Sequence, residues 1–164
     1  MKAAWLFTCL AGLTIAAAPG CSGGDDDGGD AGRFEFPEDY LDTYTMARDC
    51  RKSGSHDLHY IVVWTDPDAT GPYIDRDAPI PVGSIILKEE YDFADTTCEE
   101  GIVRWSAMKR LPAGEAPDEH LDNYWERFDI DGDIASENDS RCWGCHDDCD
   151  GDPTRVYEHT CADP

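Results

Sequence analysis

Residues 142–146 read Cys-Trp-Gly-Cys-His, and no other feature of the chain limits its architecture as much. Two thiols three positions apart, with an imidazole directly behind them, bring three metal- or carbon-reactive side chains to one patch of backbone. The spacing suits addition of both thiols across the two vinyl groups of a haem, with His146 reaching the iron from the same side. Three other uses of such a pentapeptide are a redox dithiol, half of a zinc site and part of a disulfide framework. A zinc site needs a second ligand pair, which Cys149 with His159 or Cys161 supplies. A thioredoxin-type dithiol opens a helix after a strand, whereas Asp139-Ser140-Arg141 predicts a loop ahead of Cys142.

Haem attachment and disulfides both belong outside the cytoplasm, and the start of the chain agrees. Lys2 precedes an apolar stretch from Ala3 to Ala18, which ends in Ala18-Pro19-Gly20-Cys21. A charged start, an apolar centre and small residues at the end form a secretory signal over residues 1–20. The stretch is shorter than the roughly 20 apolar residues a spanning helix needs. Its ending resembles a bacterial lipoprotein box, in which Cys21 is lipidated and becomes the first residue. An ordinary signal cut nearby, with Cys21 a spare thiol, is the alternative. Residues 21–33, rich in Gly and Asp with no large apolar side chain before residue 34, predict a flexible tether extended by self-repulsion. Serine after a lipidated cysteine implies the outer membrane, facing the periplasm. Membrane contact is expected only through this anchor.

The folded part is expected over residues 34–164. The whole chain carries 36 Asp+Glu against 13 Lys+Arg, a net charge of −23. Such a surface repels phosphate backbones and anionic lipid, which excludes nucleic-acid binding and favours neutral or cationic partners. Five Trp, seven Tyr and 40% hydrophobic residues are too many for a disordered acidic chain.

Phe36-Pro37-Glu38-Asp39 predicts a helix start, with Arg48, Arg51, Lys52 and Gly54 at its finish and Tyr40, Tyr44 and Ala47 at helical spacing. Strand character follows in Tyr60–Thr65, stopping at Asp66-Pro67-Asp68. It returns in Ser84–Tyr91, Gly101–Leu111 and Leu121–Ile130, with loops of Pro, Gly and acids between. From Asp131 onward the sequence reads as loops. The fold class is α+β: a mostly antiparallel sheet of four to five strands, an N-terminal helix and a loop-rich C-terminal segment that holds the haem.

Of eight cysteines, Cys9 leaves with the signal. With Cys21 acylated and Cys142 and Cys145 on haem, Cys50, Cys98, Cys149 and Cys161 remain and allow three pairings. Cys149 with Cys161 would staple the loops behind the haem, and Cys50 with Cys98 would tie the helix to the sheet.

The strand Gly83-Ser84-Ile85-Ile86-Leu87-Lys88-Glu89, a Trp-containing strand near Trp125 and the loop into the Cys-x-x-Cys-His near the C-terminus together resemble the cytochrome P-460 family. Phe36-Pro37-Glu38-Asp39-Tyr40, Ala107-Met108-Lys109-Arg110 and Thr154-Arg155-Val156-Tyr157 are similar to further family segments. The resemblance implies a small extracytoplasmic protein with an antiparallel sheet and one covalent haem c, often a homodimer. In P-460 proteins a lysine on that strand is cross-linked to the haem and hydroxylamine is oxidised. In the related cytochromes c′-beta the cross-link is absent and an open iron binds nitric oxide or carbon monoxide. Lys88 falls at the cross-linking position. A solvent-facing lysine paired with Glu89 or Glu90 is the alternative.

On this reading His146 is the axial ligand and the opposite side of the iron is open to a small neutral nitrogen compound or a gas. Electrons pass to a redox partner protein. Glu126 is a candidate proton acceptor. Met108 either closes the open position or sits in the core. His56, His59, His120 and His159 lack metal-ligand spacing. The acidic runs Asp129–Asp133 and Cys145–Asp152 offer calcium ligands but fail the EF-hand pattern. A gas-binding or electron-transfer cytochrome without enzymatic activity, and a haem-free, disulfide-stapled envelope lipoprotein, are the competing functions.

Overall fold

The computed structural model describes residues 32–147, except 55, 57, 58, 118 and 119. The signal segment, Cys21, Cys149 and Cys161 lie outside the described residues. Among the described residues no helix is long and apolar enough to cross a membrane.

A six-stranded antiparallel sheet forms the body, its strands in sequence order: β1 (Thr45–Lys52), β2 (Tyr60–Thr65), β3 (Ile85–Tyr91), β4 (Ile102–Arg110), β5 (Asn123–Phe128) and β6 (Ile134–Glu137). Three short helices accompany it: α1 (Tyr40–Thr43), α2 (Pro67–Asp75) between β2 and β3, and α3 (Ser140–Asp147) after β6. The mostly-β, antiparallel α+β class is therefore present. The sheet holds six strands where four to five were expected, and finer details differ from expectation in three places.

The N-terminal helix shrinks to one turn, and Thr45–Lys52 is an edge strand instead. Tyr40, Tyr44 and Ala47, which share a face at helical spacing, divide between the two faces of the sheet. Tyr40 and Tyr44 pack with Leu87 and Phe128, and Ala47 packs with Ile61 and Met108. Pairing with β2 satisfies the backbone of Thr45–Lys52 and overrides a weak helical pattern. Second, Asp66-Pro67 ends β2 but also opens α2. The Asp66 carboxylate accepts from the Ala69 N–H at 2.8 Å, with Pro67 in the first turn. Its second oxygen accepts from the Ile85 N–H at 2.6 Å, fixing where β3 begins. Third, the segment after Asp131 holds β6 and α3 rather than loops. Asp129 turns the chain there: its Oδ1 accepts from the N–H groups of Asp131 and Asp133 at 3.0 and 3.1 Å, and Gly132 supplies φ +82°.

Side chains of alternate residues build two faces. On one, Trp64, Leu87, Trp105, Ala107 and Phe128 are covered by α1 and by Phe34 and Phe36. Gly32 and Arg33, expected at the end of the tether, already lie against this body. Arg33 Nε meets Glu137 Oε1 at 2.9 Å, and a side chain at Gly32 would collide with the Tyr124 ring. Buried Glu89 is satisfied there by the hydroxyls of Tyr40 and Tyr91 at 2.6 and 2.9 Å. The other face carries Ile61, Val63, Ile86, Met108 and Trp125, covered by Ala69 and Tyr73 of α2 and by Cys142 and Trp143 of α3. The Cys50–Cys98 disulfide joins β1 to the β3–β4 loop, with Cα atoms 5.8 Å apart. It tethers an edge strand, not the expected helix.

Candidate functional site

The backbone and the side chain of one connecting residue pin the motif helix to the sheet. Asn138, at φ +44°, donates its N–H to Trp125 O at 2.7 Å, and its Oδ1 accepts the Trp125 N–H at 3.1 Å. Asp139 then organises the start of α3. Its carbonyl accepts from Cys142 N–H at 2.8 Å, and its carboxylate takes the Arg141 N–H and guanidinium at 3.0 and 2.7 Å. Trp143 donates its indole N–H to Asn138 O at 3.3 Å. These contacts direct Cys142, Cys145 and His146 at the inner face of β3–β5. His146 is buried, its ring centroid 4.6 Å from that of Trp125.

Between α3 and the sheet lies a cavity of about 290 Å³. Cys142, Cys145 and His146 line it from α3; Ile86, Lys88 and Glu90 from β3; Met108 and Arg104 from β4; Trp125 and Arg127 from β5. Cys142 and Cys145 are thiols. Burial, reinforced by the Asp139 carboxylate, pushes the Cys142 thiol up to about 11. A dithiol built for exchange needs a depressed thiol pKa, so the chemistry of Cys142 runs against the redox reading. The loop expected ahead of Cys142 does not: the motif does sit in a helix after a strand.

Lys88 lies deep in the cavity, and its Nζ is 3.2 Å from His56 Nε2. His56 Nδ1 is 3.2 Å from Glu90 Oε1, and Glu90 Oε2 accepts from Arg104 Nε at 2.6 Å. Burial alone would raise the Glu90 carboxyl; the hydrogen bond and charge of His56, with the Arg104 guanidinium, outweigh it and hold the group down at about 2. Burial lowers both His56 and Lys88 below their ordinary values.

The structure thus brings together four of the residues singled out from sequence: Lys88, Cys142, Cys145 and His146. Met108 lines the same cavity while belonging to the core. Glu126 does not join them. It follows Trp125 and precedes Arg127, both of which face the cavity, so it points to the opposite side of the sheet, opposite Ala107 in register. The candidate proton acceptor therefore lies away from the cavity. Arg104 and Arg127 were missed, His56 was set aside for want of metal-ligand spacing, and Glu90 was considered only as a solvent-side partner of Lys88. Glu90 was legible as the second residue after Lys88 on an alternating strand, and Arg104 stands across from Glu90 in register. Nothing in the pattern points to His56, which sits in the β1–β2 connection. Among the described residues no group of three or more His, Cys, Asp or Glu is arranged to hold a metal ion. In the Asp129–Asp133 run, the Asp129 carboxylate is occupied with backbone N–H groups.

Glu126 has its own consequence. It is 1% exposed, and among the described residues neither carboxylate oxygen has a hydrogen-bond partner. Burial raises it from an ordinary 4.5 to about 7, the nearby Glu137 adding to the shift and the Phe34 backbone, Arg33 and Lys109 opposing it. The folded chain therefore holds this proton where the unfolded chain releases it. Stability from this group is full below about 4.5 and is lost as pH rises to about 7, by on the order of 3 kcal/mol. Denaturant unfolding of wild type and Glu126→Gln across that window is expected to show the slope only in wild type. Parallel curves would exclude it.

Compared with family models, curated proteins and solved structures, the chain matches none.

Proposed function

We propose that this chain is an extracytoplasmic, lipid-anchored c-type cytochrome with one covalent haem, of the P-460 kind. It would bind or oxidise a small nitrogen compound, hydroxylamine or nitric oxide, at an open iron position and pass electrons to a redox partner protein. One observation carries this reading: Cys142, Cys145, His146 and Lys88, drawn from α3 and β3, converge on one partly apolar cavity. Two half-buried thiols and a buried imidazole on consecutive turns of one helix are a donor set that fits covalent haem. Cys142 and Cys145 would supply the thioether bonds and His146 a nitrogen ligand to the iron, its ring packed against Trp125. When bound, the haem would supply the redox-active iron on which a small ligand is held. The apolar side chains of Ile86, Met108 and Trp125 would limit water in that space, and Lys88 places an amine within it. Proton transfer falls to side chains that line the cavity, which Glu126 does not.

Met108 favours a second reading. Its thioether lines the cavity, and as a second strong ligand it would leave a pure electron carrier.

The test is the absorption spectrum, oxidised and reduced, of the full chain produced in cells with c-type maturation machinery, with its intact mass. Covalent haem with a high-spin spectrum is the expected result. A reduced band displaced far to the red and lost in Lys88→Ala would add the lysine cross-link. A low-spin spectrum that becomes high-spin in Met108→Ala supports the carrier. No haem by mass removes both and leaves the haem-free, disulfide-stapled or zinc lipoprotein.

A further inference from the structure

The sheet wall of the cavity is zoned in cross-strand rows. Ile86, Met108 and Trp125 stand opposite one another on β3, β4 and β5 and form an apolar row. Lys88, Ser106 and Arg127 make the next row, and Glu90 with Arg104 the third. The middle row is an amine, a hydroxyl and a guanidinium, three donors side by side with no carboxylate among them. The acids that reach this wall are already engaged. Glu90 takes Arg104 at 2.6 Å and His56 at 3.2 Å. Asp139 takes the Arg141 guanidinium at 2.7 Å and stands 3.9 Å from that of Arg127, too far for a hydrogen bond.

The Arg127 side chain is only 20% exposed, and among the described residues its guanidinium donates no hydrogen bond. Ser106 Oγ is buried on the neighbouring strand. It is close enough to Glu90 to help hold that carboxyl down, but no described residue pairs with it in hydrogen-bond geometry. Water can satisfy a hydroxyl, whereas a guanidinium taken out of solvent is costly unless a counter-charge meets it. One positive charge here is unmet. Arg104, Arg127 and Arg141 are three fixed cations, and Glu90 and Asp139, even fully ionised, supply two anions. Neither Lys88 nor any histidine enters that balance.

We propose that Arg127 and Ser106 form an anion subsite in the wall of the cavity, which takes a planar group with two oxygens: a carboxylate or a small oxyanion of that shape. A guanidinium presents paired N–H groups that match two such oxygens, and the hydroxyl donates to one of them. Inside the cavity this reverses the preference for neutral or cationic partners that a chain of charge −23 suggests. Two sources supply the group. A haem carries carboxylates of its own, and a free anion can enter from solvent. The first source rests on the haem reading above; the subsite itself does not.

Nitrate is the probe, because it is planar and a poor ligand for haem iron. The full chain is produced haem-free, without maturation machinery, and haem-bearing, with it. Nitrate binding to each is measured by isothermal titration at constant ionic strength. Haem-free wild type is expected to bind nitrate saturably. Arg127→Gln should weaken binding about tenfold or more and Ser106→Ala about three- to tenfold, while Ser106→Thr keeps the hydroxyl and the affinity. Binding that persists in the haem-bearing chain identifies a free anion. Binding lost there, with a resonance Raman band of the haem propionates that moves in Arg127→Gln, identifies the haem carboxylate.

Loss with an unmoved band means that haem merely covers the row, and overturns the proposal. So does equal binding by Arg127→Gln, or no saturable binding by a folded haem-free chain. If the haem-free chain has no cooperative melt, the haem-bearing chain decides alone, and the absence there of both nitrate binding and a moved band overturns the proposal. The two readings fail separately. A chain without haem by mass that binds nitrate through Arg127 sinks the cytochrome and leaves the subsite. A haem-bearing chain indifferent to residue 127 in both measurements does the reverse.

Discussion

A chain carrying Cys50→Ser and Cys98→Ser is expected to lose about 4 kcal/mol of folding stability, the denatured-state entropy released by opening a loop of this size. The bond closes a sequence separation of 48 residues. The native strand it holds is also poorly protected. β1 lies at the sheet edge, its pairing with β2 is interrupted twice by register shifts, and most of its residues are exposed. The far anchor is steadier, because Asp95 gathers the N–H groups of Thr97, Glu99 and Glu100 in the β3–β4 loop. The thermal midpoint of the double variant should fall by roughly 10 °C or more. A loss under about 1 kcal/mol would mean that ladder pairing alone secures β1.

Phe128→Ala is expected to cost about 3–5 kcal/mol in denaturant unfolding. Phe128 is fully buried, with the rings of Phe34 and Phe36 at 5.9 and 5.2 Å. It therefore joins β5 to the N-terminal segment that covers this face. Leu41→Ala makes the contrast. Leu41 belongs to the helix expected from sequence, yet it is 63% exposed, and its loss should change stability by less than about 0.5 kcal/mol. Comparable costs for the two would contradict the packing described.

These two positions show what was legible in the sequence and what was not. Tyr60–Thr65, Ser84–Tyr91, Gly101–Leu111 and Leu121–Ile130 carry β-branched and aromatic runs between strong turn residues, and each holds a strand within two residues of its expected ends. Thr45–Lys52 has no such run. It is a strand because β2 offers unpaired backbone beside it, a tertiary cause that local spacing does not encode. Ile134–Glu137 is short and half-exposed, so its alternation carries little hydrophobic signal. In the site, the motif and Lys88 were visible as residue types at telling positions. His56 was not, since its partners come from strands 32 and more residues away. Net charge also misled about the interior. Within a chain of charge −23, the cavity draws Lys88, Arg104, Arg127 and Arg141 to its walls, so the exterior sign says nothing of the sign met by a bound molecule.

Each strand of the sheet hydrogen-bonds to the one before it in the chain. Topologies made of such sequence-local pairings close small loops and fold fast, with no strand waiting on a distant partner. The wall formed by β3, β4 and β5 is complete without α3, and only the last described helix must dock to finish the pocket. A folding chain can therefore present a formed receiving surface while Cys142 and Cys145 are still accessible to solvent. On the proposed haem reading, attachment and folding would not compete for the same thiols.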